Sequence, residues 1–358
     1  MYFPIAGAEV SLFVLVAIGF AVGICGGFMG MGGGWMLVPA LYALGIPMNI
    51  AIGTSLAQIL GHAIVSSFRH WQFGNVSLKI AMVMIPGEAI GVEIGASLIE
   101  FLKNKPNVDL DLVLSSLYLV LLFGLAIFMF MDVRKRRRRQ RRENQRAAQN
   151  HEEPEDVLEK KSSLAVWAQS IPLKPTISCT VSDITSISVW VIFCFAIIVG
   201  TLTGLLGVGG GILRLPMMIY LFGCPTVAAV GTGLFAIIIS GGYGAFTHAV
   251  KGNVDLPIAL LLFIGAALGA QVGSFATTYV RGDQIRGLFA GLAFVAGVSI
   301  FAKTFVPRWS MIPDEVASSV SLVLIIGVTA MMALTILYFL GRGVAEEKAA
   351  QAEHDDSG

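Results

Sequence analysis

Gly23–Pro39 reads GICGGFMGMGGGWMLVP, and Gly200–Pro216 reads GTLTGLLGVGGGILRLP. An offset of 177 sets Gly23, Gly27, Gly30, Gly32, Gly33, Gly34 and Pro39 over Gly200, Gly204, Gly207, Gly209, Gly210, Gly211 and Pro216. After one inserted residue the offset is 178, carrying Gly45, Pro47, Gly53 and Thr54 onto Gly223, Pro225, Gly231 and Thr232. His70 then meets His248, and Gly74-Asn75-Val76 meets Gly252-Asn253-Val254. Gly87, Gly91 and Gly95 meet Gly265, Gly269 and Gly273. An ordered series of this kind is one unit present twice.

The surrounding composition is that of a lipid-soluble chain. The 358 residues are 56% hydrophobic and 13% charged, with mean hydropathy +0.79. A soluble domain carries far more charged surface. No Asp, Glu, Lys or Arg occurs from Val10 to Phe68, a stretch far longer than the roughly 20 residues of one span. The pattern predicts helices near 10–28, 34–46, 48–69, 78–101, 111–131, 187–206, 211–223, 226–248, 256–279, 285–304 and 318–340. None alternates in polarity as a transmembrane barrel strand does. The fold expected is all-α and polytopic, with two homologous repeats, Gly-broken short helices and about 9–11 membrane segments. If 34–46 and 211–223 cross, the first copy has an odd number of spans and the second is inverted. If they re-enter, the copies run parallel. Inverted repeats are common in secondary transporters, and the odd count is preferred.

The chain then divides into a first membrane repeat (1–131), a basic and acidic linker (132–186), a second repeat (187–305), an added C-terminal span (306–341) and a polar tail (342–358). Ala345–Gly358 is expected to be disordered. Met1–Val10 lacks Lys and Arg, so the first apolar stretch has no basic n-region and reads as a span that stays. Arg134–Arg142 (RKRRRRQRR) directly follows a span. A basic run there acts as a positive-inside anchor touching anionic lipid rather than as a nucleic-acid site, which puts the linker in the cytoplasm. Net charge is +1, and the four cysteines show no CxxC pair or metal spacing. No cofactor or metal is expected.

Three consecutive glycines between apolar segments break a helix. The following segment then begins with unpaired N–H groups and the positive end of a helix dipole, which favour an anion. Gly32, Gly33, Gly34, Gly209, Gly210 and Gly211 are therefore candidate substrate-binding residues; close helix crossing is the alternative. No Lys-Ser or Lys-Thr follows the glycines, so they form no nucleotide loop. The glycines at every fourth residue from Gly87 and from Gly265 read as helix packing alone.

Arg214 stands just past the second break, where the first copy has Leu37. An arginine in lipid is costly, and contacts substrate or pairs with a carboxylate. Glu88 and Glu93 lie in the fourth span opposite Ala266 and Gln271. A carboxylate buried there could take up and release a proton and couple transport to a gradient; pairing with Arg69, Lys79 or Arg214 is the alternative. Thr54 and Thr232, with Gln58 and Asn49, could line a polar site, or the hydroxyls could bond helix carbonyls. His70 and His248 read as loop caps, and His62 (Ser240 in the second copy) as a pore-lining candidate.

The repeated pattern G-x6-G-x-G-G-G-x4-P, then G-x-P, G-T and H-x3-G-N-V, resembles the TauE/SafE family of sulfite and sulfonate transporters. The residues that carry it are Gly23, Gly30, Gly32–Gly34, Pro39, Gly45, Pro47, Gly53, Thr54, His70 and Gly74–Val76, with their mates in the second copy. The resemblance implies a bacterial inner-membrane permease for sulfur-containing or other small organic anions, a carrier rather than an enzyme. The linker and the last span are additions to a compact member. A secondary carrier of a small anion is the leading reading, ahead of a passive channel, an intramembrane enzyme and a cation carrier. Its partners would be the anion and membrane lipid, with no nucleic acid, and homo-oligomerisation is left open.

Overall fold

The computed structural model describes residues 1–150, 162–276, 282–309 and 313–356. A short hairpin, β1 (Tyr2–Phe3) and β2 (Ala8–Glu9), leads into α1 (Leu12–Met29), α2 (Gly34–Ala43), α3 (Met48–Gln72), α4 (Leu78–Lys103) and α5 (Leu110–Asn150). After α6 (Ser163–Gln169), a second hairpin, β3 (Thr176–Cys179) and β4 (Ile184–Ser188), leads into the second copy. Its helices are α7 (Val189–Leu206), α8 (Gly211–Tyr220), α9 (Thr226–Val250), α10 (Leu256–Ala276) and α11 (Gly282–Trp309), followed by α12 (Asp314–Asp356). Eight helices among the described residues are long and apolar enough to span a membrane; Gly34–Ala43, Gly211–Tyr220 and Ala290–Thr304 are shorter apolar segments. The protein is a multi-pass membrane protein.

Cross-copy contacts set the relative direction of six long helices. A Cβ on Gly19, Gly23 or Gly27 of α1 would strike the backbone of Leu262, Ala266 or Ala270 of α10, so these helices run parallel. Gly87, Gly91 and Gly95 of α4 meet Phe193, Ile197 and Thr201 of α7 in the same sense. Thr54 meets Asp255 and Gly61 meets Phe263, which makes α3 parallel to α10. Ser77 meets Thr232 and Val92 meets Gly244, which makes α4 parallel to α9. Gly53 opposes His248 and Gly231 opposes His70, so α3 and α9 are antiparallel. Hence α1, α3 and α10 point one way, and α4, α7 and α9 the other. The second copy is inverted with respect to the first. The glycine stripes serve packing: helices touch backbone to backbone where a side chain would hold them apart.

The ten-residue helices α2 and α8 are about 15 Å long at 1.5 Å per residue, half a bilayer. The side chain of Ile59, near the middle of α3, lies against Gly34 at the start of α2, while α2 ends beside the start of α3. The chain thus travels along α1 and turns at the glycines. It then returns along α2 to the side where α1 began, before α3 crosses. The inverted arrangement therefore coexists with half-helices that turn back, a combination the sequence alternatives did not include.

The hairpins extend the repeat. Asp255, the residue before α10, accepts a hydrogen bond from the Ala6 amide beside the first hairpin. Its mate Ser77, the residue before α4, contacts the Cys179 thiol of the second hairpin at 2.9 Å. Both hairpins precede the first long helix of their copy. Two expectations from the sequence are corrected. The basic start of the linker continues α5 as helix to Asn150, and Ala345–Asp356 is helical at the end of α12 rather than disordered. Both stretches are rich in Arg, Gln, Glu, Ala or Lys, which favour helix. The acidic part of the linker, 151–161, and the last two residues lie outside the described residues.

Candidate functional site: the glycine junction

The two glycine breaks meet at the centre of the molecule. Gly30 and Gly207 end α1 and α7 in the left-handed region, with φ of 70° and 67°. Gly32, Gly33, Gly209 and Gly210 also have positive φ, a region costly for any residue with a Cβ. Gly34 and Gly211 are required for space instead. A Cβ on Gly34 would stand 2.6 Å from the Gly207 carbonyl oxygen, and one on Gly211 would stand 2.5 Å from Met31 Cα. Each break therefore presses on the break of the other copy. Neither α2 nor α8 has a side-chain cap at its N-terminus, and both N-termini face inward.

Gly32–Gly34 and Gly209–Gly211 are buried in this conformation. Ile59 lies over Gly32, Gly34 and Gly209, with Val22 against Gly33 and Val199 against Gly210. The two breaks adjoin one another, and apolar side chains cover both.

Arg214 on α8 lies beside this junction, fully buried. Its Nε donates to Glu88 Oε1 at 2.8 Å, and Nη2 stands 2.6 Å from Glu88 Oε2. Nη1 donates to the carbonyls of Gly233 (3.1 Å) and Gly209 (3.4 Å), and Nη2 to Ser240 Oγ at 3.3 Å. Every guanidinium nitrogen thus faces an oxygen of the protein. Of the readings the sequence left open, the ion pair between Arg214 and Glu88 is what this conformation shows. A bare anion could reach Arg214 only by displacing Glu88 or the carbonyls.

Glu93 sits elsewhere. It is about half exposed and pairs with Lys251 at 3.1 Å, and it accepts from Ser97, Tyr243 and Thr247. The buried carboxylate expected at this position is Glu88 alone. Thr54 and Thr232 are buried and lie across the copies from one another's loops. Thr54 Oγ1 accepts from the Asp255 amide, and Thr232 Oγ1 from the Ser77 amide, both at 2.9 Å. Each hydroxyl therefore satisfies the amide of the residue just before a helix of the opposite copy. Asn49 donates to Asn253 Oδ1 at 2.8 Å, another cross-copy link.

His248 Nε2 lies 2.8 Å from the Gly204 carbonyl, whereas both ring nitrogens of its mate His70 lack a partner. His62 Nε2 lies 3.4 Å from the Gly23 carbonyl, and its Nδ1 has no partner. Ser66 escaped the sequence reading. Its signal was its spacing, four residues from both His62 and His70 on one helix.

At the end of the molecule away from the linker, a cavity of about 550 Å³ is lined by Tyr42, Ile46, Asp111, Lys303, Arg308 and others. Arg308 pairs with Asp109 at 2.5 Å, and Lys303 lies 4.2 Å over the Tyr42 ring. The carboxyl of Asp109, in the loop before α5, is held below its usual range by the Leu112 amide first and by Arg308 after it.

Residues 15–300 match the family model described as sulfite exporter TauE/SafE. A probable membrane transporter of Bacillus subtilis, YunE, is 26% identical over 74% of this chain and 88% of its own length. A probable membrane transporter of Methanocaldococcus jannaschii is 24% identical over 80% of this chain and 93% of its own. One from Xylella fastidiosa is 25% identical over the same shares. No solved structure gives a significant match. The chain belongs to the TauE/SafE family of membrane transporters.

Proposed function

We propose that this protein is a secondary transporter of a small anion, sulfite or an organosulfonate or related sulfur oxyanion, across the bacterial inner membrane. The linker 132–186 faces the cytoplasm in this reading, because the basic run at Arg134–Arg142 follows the positive-inside rule. The observation that carries the proposal is the meeting of two inverted, glycine-broken half-helices at one buried point beside Arg214. Inverted repeats allow one centre to be opened first from one side and then from the other. The uncapped N-termini of α2 and α8 supply amide donors and positive dipole ends for an anion.

Glu88 sets the condition for substrate entry. It occupies the guanidinium of Arg214, so a substrate oxyanion must displace it to take up the paired N–H donors. Coupling of transport to a gradient through this carboxylate is part of the proposal. The paired, inverted half-helices support a carrier over a passive channel, because they suit alternating access. Proteoliposomes holding the pure protein test this directly. Saturable, pH-gradient-driven uptake of sulfite or sulfoacetate supports the proposal. Flux that never saturates, or none for any sulfur oxyanion, contradicts it.

A further inference from the structure

Gln58, His62, Ser66 and His70 occupy every fourth position of α3, and all four are at most 1% exposed. Six of their polar atoms have no hydrogen-bond partner: Gln58 Oε1 and Nε2, His62 Nδ1, Ser66 Oγ, and both ring nitrogens of His70. Each such atom sealed from water is costly, and native interiors hold few of them. Four at one helical spacing are not scattered packing faults.

Two comparisons within the chain sharpen this. Several buried hydroxyls elsewhere in its helices fold back on the carbonyl four residues before, as Thr203, Ser240, Ser274 and Thr329 do. Ser66 does not. The matching positions of α9 are Ala236, Ser240, Gly244 and His248. There Ser240 bonds Ala236 and Arg214, and His248 bonds Gly204 through Nε2, its Nδ1 alone lacking a partner. A row of four such residues therefore belongs to one copy only, and the repeat symmetry does not require it.

Its course is also informative. Gln58 adjoins Ile59, which covers the glycine junction, and His70 lies in the last turn of α3 on the linker side. Four residues of helix rise about 6 Å, and two hydrogen bonds of about 2.9 Å end to end span that distance. One water, or one oxyanion oxygen, can thus bridge each rung to the next.

We propose that Gln58, His62, Ser66 and His70 line a one-sided hydrophilic path for the transported oxyanion, joining the glycine junction to the linker-side surface. This rests on the transporter reading. The row contains no fixed charge, so it can pass an anion between neutral donors without trapping it, while Arg214 stays occupied by Glu88. Water fills the row when no anion is passing.

Single cysteines at 58, 59, 62, 63, 66 and 70 test the path, in a background with Cys25, Cys179, Cys194 and Cys224 replaced by Ser. Vesicles of each orientation are treated with the membrane-impermeant, anionic reagent methanethiosulfonate ethylsulfonate. Ser66→Cys is nearly isosteric and keeps the test valid if a larger change disturbs folding. The proposal expects modification at 58, 62, 66 and 70 from the linker side, and none at Ile59→Cys or Ala63→Cys. Protection from all labelling, or equal labelling of all six positions, overturns it. Labelling needs no transport, so a protein that labels as expected yet carries no flux overturns the transport reading and leaves a hydrophilic row.

Discussion

Glu88 of the first copy and Arg214 of the second hold each other at 2.6 Å, both fully buried. At the pseudo-symmetric positions the chain has Ala266 and Leu37, which are apolar. One face of the inverted repeat carries an ion pair where the other carries hydrocarbon. The fold itself thus shows which neutral pair fits the same geometry.

Removing one member strands the other's charge in a dry interior. Glu88→Ala or Arg214→Leu alone should cost about 3–5 kcal/mol, read as a large fall in thermal stability in detergent. The double variant Glu88→Ala/Arg214→Leu copies the other face and should recover most of that loss. Equal melting of the double and the worse single would show that the pair is not coupled.

Substitution at the junction should follow space, not composition. Gly34→Ala and Gly211→Ala press a methyl into the opposite copy and should cost about 1–3 kcal/mol or more. Gly124→Ala on α5 meets nothing within 4 Å and should be neutral or stabilising by about 0.5–1 kcal/mol. Melting curves of the three variants decide this, and a destabilising Gly124→Ala would count against it.

Thr54→Val and Thr232→Val keep the shape and delete the acceptor for a buried amide, at about 1–3 kcal/mol each. The two losses should be similar, since the bonds are pseudo-symmetric, and variants that remain folded should keep most of their transport. A loss of flux with unchanged stability would instead make these hydroxyls substrate ligands.

Ile59→Ala removes the side chain that covers three junction glycines. Stability should drop by about 2–5 kcal/mol, and anion leak should rise in the absence of a gradient-coupled partner. Liposome efflux under zero pH gradient measures it; an unchanged leak would mean that Ile59 is not part of the seal.

Much of this was legible in the residues. The glycine and proline spacing gave the repeat, the short helices and the family resemblance, because backbone breaks and close approaches admit few residue types. The inverted direction of the second copy was the reading preferred from the odd span count, but the turning back of the half-helices was not legible, since periodicity carries no sense of which way a short helix returns. Arg214 and Glu88 stood out as charges in lipid, yet their pairing depends on α4 packing against α7 and α9, which no local pattern encodes. Thr54 looked like a site residue because its role, accepting the Asp255 amide, lies 201 positions away. The hairpins before α1 and α7 share a place in the repeat without sharing residues, so alignment of the two halves passes over them.

The most direct test of the central claim is gradient-driven sulfite or sulfoacetate uptake by the wild type and by Glu88→Ala/Arg214→Leu in matched proteoliposomes. The account predicts saturable uptake by the first, and a folded, monodisperse but silent protein in the second. Wild-type uptake by the double variant would contradict it.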